Sequence, residues 1–327
     1  MIVITGGAGF IGSNVLSSLS KSSNSELAVC DWVDADNRPN IAQHRVAEIV
    51  SPDALFDFLG DRQKDVELIV HMGANSSTTD PDVDLVFHYN LDFSMRLFHW
   101  CAAHGVRLIY ASSASTYGDG AEGFDDGESR AHLMTLRPLN AYGISKHAVD
   151  MRIARLVEAG APRPPQWAGL KFFNVYGPNE YHKGDMKSVI AKMAPQIERG
   201  ETVRLFRSHR AGFADGEQMR DFVYVRDCVS VIDWLTHTPS VSGLFNVGSG
   251  RARSFLDLTR AVFAALGQAP RIEFIDMPMH LRDRYQYFTE APLTKLRAAG
   301  YDRPATSLED GVTDYVVNYL RDGLRYA

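Results

Sequence analysis

Apolar positions in this chain follow a repeating strand-then-helix rhythm. Residues 2–4 (Ile-Val-Ile) are uninterrupted, β-branched and apolar, which predicts a strand buried on both faces of a parallel sheet. Residues 13–20 then place apolar side chains at helical spacing. The unit recurs. Strands are predicted over 26–30, 67–70, 107–111 and 170–175. Helices are predicted over 52–59 and 83–104, and up to 157 from a cap at Asn140. Within 83–104, Val86, Phe87, Leu91, Met95 and Phe98 read as core, and His88, His99 and His104 as ordinary helix residues. A Pro-rich connector spans 159–167. Such alternation predicts an α/β fold with a doubly wound parallel sheet. After Tyr176-Gly177-Pro178 the rhythm stops. A helix over 186–198, a polar loop over 208–219, short strands over 220–225 and 244–247, and a helix over 255–266 predict a smaller, mixed α/β lobe. The expected division is residues 1–168 against 169–327, with some segments of the second part returning to the first.

Length agrees with two lobes, since 327 residues is long for one core. The formal net charge of −6 and the lack of a Lys/Arg run exclude a nucleic-acid surface. Cys30, Cys101 and Cys228 are few and scattered, which predicts reduced thiols, no disulfide framework and no metal site. No run is long and apolar enough to span a bilayer, and no basic, cleavable leader precedes the first strand. The expected place is the cytoplasm.

Chemistry enters with the glycines. Gly6, Gly9 and Gly12 follow the first strand at once and open the first helix. A strand, a glycine turn and a helix N-terminus form a dinucleotide site, with the pyrophosphate on the helix amides. The sheet is therefore expected to be Rossmann-type, with the second lobe binding substrate. Asp31 ends the second strand, where an acid hydrogen-bonds an unphosphorylated adenosine ribose. Arg38 offers a cation to a 2′-phosphate instead, so the residues leave NAD and NADP both open. Small residues at the end of the next strand, Met72 to Ser76, leave room for a ligand. Tyr142 and Lys146 stand four apart on one helix face, downstream of a strand-terminal Ser113. A phenol has a pKa of about 10, and nearby positive charge favours its phenolate. Such a Tyr can take a hydroxyl proton while a hydride leaves, with Ser113 holding the same hydroxyl.

TGGAGFIG (5–12), SSASTYG (112–118), Tyr142-x3-Lys146 and RDFVYVRD (220–227) resemble the extended short-chain dehydrogenase/reductase family acting on nucleotide sugars. The resemblance runs nearly end to end. Segments 172–189, 282–304 and 74–79 are similar to the branch of that family that epimerises ADP-heptose at C6″. The resemblance implies bound NADP, no net redox change and an acid/base group on each side of the reacting carbon. On it, Tyr142 is the first such group, Lys183 the second, Ser113 the hydroxyl holder and Lys146 the residue that orients the nicotinamide ribose. The cofactor would meet Gly6, Gly9, Phe10, Ile11, Gly12, Asp31, Trp32, Arg38, Met72, Gly73, Ala74, Asn75, Ser76, Asn90, Val175 and Lys183, with Tyr142 and Lys146. The substrate would meet Asn174, Asp185, Lys192, Phe206, Arg220 and Tyr285, with Ser113 and Lys183. Asp185, Trp32 and the loop 207–219 depart from the familiar pattern. A homo-oligomer, a pentamer, is implied by resemblance alone.

Three other readings compete. A 4,6-dehydratase needs an acid beside the strand-end Ser, and Ala114, Ser115 and Thr116 supply none. A 4-epimerase has no use for a base at Lys183. A non-catalytic NADP-binding protein has no use for Ser113, Tyr142 and Lys146 together.

Overall fold

The computed structural model describes residues 1–327 except Thr79, Asp283, Arg284 and Asp322, and the side chains of His280 and Leu281. Thr79 of segment 74–79, and Asp283 and Arg284 of segment 282–304, thus lie outside the described residues. Twelve strands are described. They are β1 (Ile2–Thr5), β2 (Leu27–Cys30), β3 (Glu48–Val50), β4 (Leu68–His71), β5 (Arg107–Ser113), β6 (Trp167–Phe172), β7 (Asn174–Tyr176), β8 (Val203–Phe206), β9 (Met219–Tyr224), β10 (Gly243–Val247), β11 (Ala252–Ser254) and β12 (Ile272–Ile275). Seven form one sheet in the order β10-β6-β5-β4-β1-β2-β3, and every pairing in it is parallel. This is the doubly wound α/β sheet expected. Its strand order reverses between β1 and β4, the crevice where such folds bind ligands.

Uninterrupted apolar strands fit because alternate side chains enter different cores. Val3, Ile69 and Leu108 pack on one face with Phe98 and Ile153. Ile2, Ile4, Leu68 and Val70 pack on the other with Val15, Leu16 and Leu19. A third cluster, around Ile190, Val203, Leu258 and Tyr315, lies among elements of the second half. There β11-β9-β7 make a mixed three-stranded sheet and β12-β8 a parallel pair. The strand β10 returns from that half to the edge of the large sheet.

Three predicted elements are subdivided. Residues 170–175 are not one strand: Phe173 gives its N–H to the Val247 carbonyl at 3.0 Å, and the chain then leaves the large sheet for β7. The helix over 83–104 contains a π turn, His88–Asp92, between Val83–Phe87 and Phe93–His104. The helix over 186–198 is a 3-10 turn, Tyr181–Met186, kinked at Gly184 (φ 52°), then a helix Val189–Glu198 capped by Ser188. The strands β3, β8, β11 and β12 and the helices Val225–His237 and Leu308–Tyr315 were not predicted.

Candidate active site

The glycine turn is held by shape. Gly6 has φ +66°, which glycine adopts freely. A Cβ on Gly12 would sit 2.0 Å from the Gly6 carbonyl oxygen, so the turn and the helix Phe10–Ser22 touch with no room for a side chain. That helix has no side-chain cap and no acid in its first turn. Its first amides are left for an anion, and the helix dipole favours one.

A cavity of about 590 Å³ runs from this turn along the carboxyl ends of β1, β2, β4, β5 and β6. Gly6, Gly9, Phe10, Ile11, Gly12, Asp31, Trp32, Met72, Gly73, Ala74, Asn75, Ser76, Ser113, Tyr142, Lys146, Val175 and Lys183 line it. These residues, all proposed from sequence, come together in one wall. Asp31 accepts hydrogen bonds from the Ala8 and Trp32 amides, both at 2.9 Å. Burial nonetheless raises its pKa, against those bonds. Trp32 is half exposed and meets the Tyr89 ring edge-on at 4.9 Å.

Arg38 and Asn90 do not line the cavity. Arg38 heads the 3-10 turn Arg38–Asn40 and is exposed, whereas its neighbour Asn37 lines the wall. Asn90 is fully buried behind the wall. Its side chain accepts from the Asn75 amide (2.8 Å) and donates to the Asn75 carbonyl (2.9 Å) and the Ser145 hydroxyl (3.0 Å). Ser145 in turn donates to the Tyr142 carbonyl at 2.7 Å. Asn90 thus ties the cavity wall at Asn75 to the helix of Tyr142 and Lys146.

The helix Ala141–Glu158 is capped by Asn140, whose side chain accepts from the Gly143 amide at 2.8 Å. Its first turns bring Tyr142 and Lys146 to the end of β5. Lys146 is buried and donates to the Ala111 carbonyl at 2.9 Å. Burial lowers its pKa to about 8, and Asp150 opposes that fall. Burial raises the Tyr142 phenol, and a hydrogen bond with Ser113 works against it. Lys183 enters from the 3-10 turn, half-buried, with its ammonium 5.3 Å from the Phe10 ring centroid. Burial lowers its pKa, against the charge of Glu180. Two proton-carrying side chains of different chemistry therefore share one cavity with Ser113.

Phe206, Arg220 and Tyr285 form a separate cluster. Tyr285 lies 6.2 Å from Phe206, and the Arg220 guanidinium 5.2 Å from the Tyr285 ring. Arg220 is buried and has no ion pair among the described residues. Asn174, Asp185 and Lys192 are exposed and do not line the main cavity. Lys192 donates to the Asp185 carbonyl at 2.6 Å. Tyr89, Asn37 and His182 line the main cavity without having been proposed. Of these, His182 had a signal, since it adjoins Lys183.

Residues 2–248 match the model of the NAD dependent epimerase/dehydratase family. The chain belongs to this family. Among its relatives is the ADP-L-glycero-D-manno-heptose-6-epimerase of Nitratidesulfovibrio vulgaris, 48% identical over 323 residues and 98% of each chain. The protein of that name from Fusobacterium nucleatum is 41% identical over 329 residues, again 98% of each. The crystal structure of the Helicobacter pylori protein of that name superposes with a TM-score of 0.79 at 27% identity, covering 97% of this chain and 95% of that one. A Thermus thermophilus UDP-glucose 4-epimerase in complex with NAD superposes at 0.72, with 25% identity and 97% of each chain covered. The resemblance to the heptose branch is thus borne out. As a family member the chain is an epimerase-type enzyme with a nicotinamide cofactor, and the residues present fit that cofactor. The uncapped helix and glycine turn suit its phosphates, and Asp31 suits its ribose.

Proposed function

We propose that this enzyme interconverts ADP-D-glycero-β-D-manno-heptose and ADP-L-glycero-β-D-manno-heptose by transient oxidation at C6″. The observation that carries the reading is the placing of Tyr142 and Lys183 in one cavity with Ser113 and Lys146. A dinucleotide bound on the glycine turn would supply the hydride acceptor and donor for this chemistry. Tyr142 takes the hydroxyl proton of one isomer, with Ser113 holding the oxygen. Lys183 serves the hydroxyl that points the other way. Lys146 orients the nicotinamide ribose. Arg220, buried without a counter-ion among the described residues, is suited to the substrate diphosphate, since a guanidinium grips phosphate bidentately. Phe206 and Tyr285 add flat surface beside it.

Our reading of the cofactor is NADP, with NAD the alternative. Arg38 supports it: the side chain is exposed next to Asn37 of the cavity wall and has no ion pair among the described residues. The homo-oligomer and the cytoplasmic setting belong to the same reading. They rest on the resemblance, which links the reaction to heptose supply for the lipopolysaccharide core.

Incubation with ADP-D-glycero-β-D-manno-heptose, followed by NMR at the C6″ proton, tests the reaction. Appearance of the L-glycero isomer is expected. Inversion at C4″ of a UDP-hexose, with no change at C6″ of the heptose, would replace this reading with a 4-epimerase.

A further inference from the structure

Behind the site lies a charged pair that the chemistry above does not use. Asp150 is eight residues past Tyr142 and four past Lys146, on the same helix face. Its carboxylate accepts from Lys171 of β6 (2.8 Å), and from Ser112 (2.8 Å) and Tyr110 (3.2 Å) of β5. Lys171 also donates to the Thr116 hydroxyl at 2.8 Å, and Thr116 donates to the Ser113 carbonyl at 2.8 Å. The side chains of both Asp150 and Lys171 are 0% exposed. One carboxylate therefore joins the helix of Tyr142 and Lys146 to the strand of Ser113 and to the strand that leads into Lys183's segment.

Stability does not account for it. A buried pair contributes little over an apolar pair of equal volume, because desolvation offsets attraction. Its contacts, which tie the helix of Tyr142 and Lys146 to the strand of Ser113, do. We propose that Asp150 and Lys171 are positioning residues: they fix the catalytic helix on β5 and set a buried negative charge one turn behind Lys146.

The groups facing Lys146 make the consequence specific. Its own helix presents Asp150 and, on the same face, Tyr142; β6 presents Lys171 through Asp150, and β4 presents His71, while His147, next along the helix, is influenced by Asp150 and Lys171. His71 is neutral above about pH 3, so it adds no charge at working pH. Asp150 is the charge that opposes the fall of the Lys146 pKa on burial. This consequence rests on Lys146 serving the reaction as proposed, but its measurement need not.

The test is a pH titration of Lys146 by NMR of 13C-lysine-labelled protein, with the resonance assigned by its loss in Lys146→Arg. Asp150→Asn is expected to move the titration to lower pH, and Lys171→Met to higher pH, because it leaves the carboxylate unneutralised. The alkaline limb of kcat/KM should follow each, with kcat falling roughly tenfold to a hundredfold from misplacement. Either single variant leaves a buried charge unpaired and can fail to fold. The paired variant Asp150→Asn/Lys171→Met removes both charges and should fold, with its titration still at lower pH. Lys171→Arg should restore the native profile. An unmoved Lys146 titration in folded variants overturns the proposal. A wild-type protein inactive on ADP-heptose would overturn the substrate reading and leave this titration to decide the positioning role.

Discussion

On the proposed reaction Tyr142 and Lys183 are separable, because each would serve its own hydroxyl orientation. Tyr142→Phe keeps the ring and removes the acid/base group. Epimerisation should fall about 10²–10⁴-fold, the worth of a positioned proton carrier, with dinucleotide binding kept. Lys183→Met keeps length and removes charge, and the overall loss should be similar. The distinguishing measurement is single-turnover reduction of bound cofactor, started separately from each C6″ isomer. The two isomers should be slowed unequally, and wild-type rates from both would leave Lys183 as a binding residue only. Arg38 is tested by affinity. Arg38→Ala should weaken NADP about tenfold or more and leave NAD nearly unchanged, since a hydrogen bond to a charged group contributes roughly 1.5–3 kcal/mol. Equal loss for both cofactors would show that Asp31 and the loop select the ribose. At this scale the sequence was informative where a residue sits at a strand end or on the cavity-facing side of a helix, and less so for Asn90 and Lys192, whose helices turn them away from the cavity. Gly6, Asp31, Tyr142 and Lys146 are placed by strand ends and helix spacing, so counting along the chain finds them. Arg38 and Asp185 lie in irregular turns, where counting says nothing about direction.

Among elements, the π turn His88–Asp92 shows what periodicity leaves out. Apolar spacing across 83–104 reads as one helix, and one extra residue in a turn barely disturbs that pattern. Yet the turn belongs to the segment that presents Asn90 to Asn75 and Ser145 at once. Asn90→Ala removes three hydrogen bonds from a buried position and strands the Asn75 amide. Each lost partner costs about 1–3 kcal/mol when a buried group is left unsatisfied. Thermal stability and dinucleotide affinity should therefore fall together, by calorimetry and titration on the same sample. Unchanged affinity in a folded variant would mean that the wall at Asn75 stands without Asn90. The short strands β3, β8, β11 and β12 escaped the sequence reading for a related reason. Each has only three or four residues and a partly exposed face, too little to set up a recognisable period.

For the molecule as a whole, the large sheet was legible because burial on both faces forces continuous apolar strands. The second half was less so, because its sheets are small and share a core with helices distant in sequence. One consequence of the joined sheet concerns acid stability. His71 ends β4 at the centre of the sheet, fully buried. Ser94 donates to the Asn90 carbonyl (2.6 Å), so its hydroxyl oxygen accepts from His71 Nε2–H (2.8 Å). Thr5 then donates to His71 Nδ1 and accepts from the Gly73 amide (3.1 Å). This arrangement uses the neutral ring with its proton on Nε2 and has no acceptor for a second proton. Burial, aided by Lys146, accordingly lowers the His71 pKa from 6.5 to about 3. The sign follows. Between about pH 6.5 and 3 the unfolded chain binds a proton at His71 that the folded chain does not, so acid favours unfolding. Between pH 7 and pH 5 this one ring should remove about 2 kcal/mol of stability. Urea unfolding at the two pH values measures it, and His71→Gln should flatten the difference by that amount even if the variant is less stable at both. An equal pH dependence in wild type and variant would mean that His71 is protonated in the folded protein, with Thr5 accepting from Nδ1–H rather than donating to Nδ1.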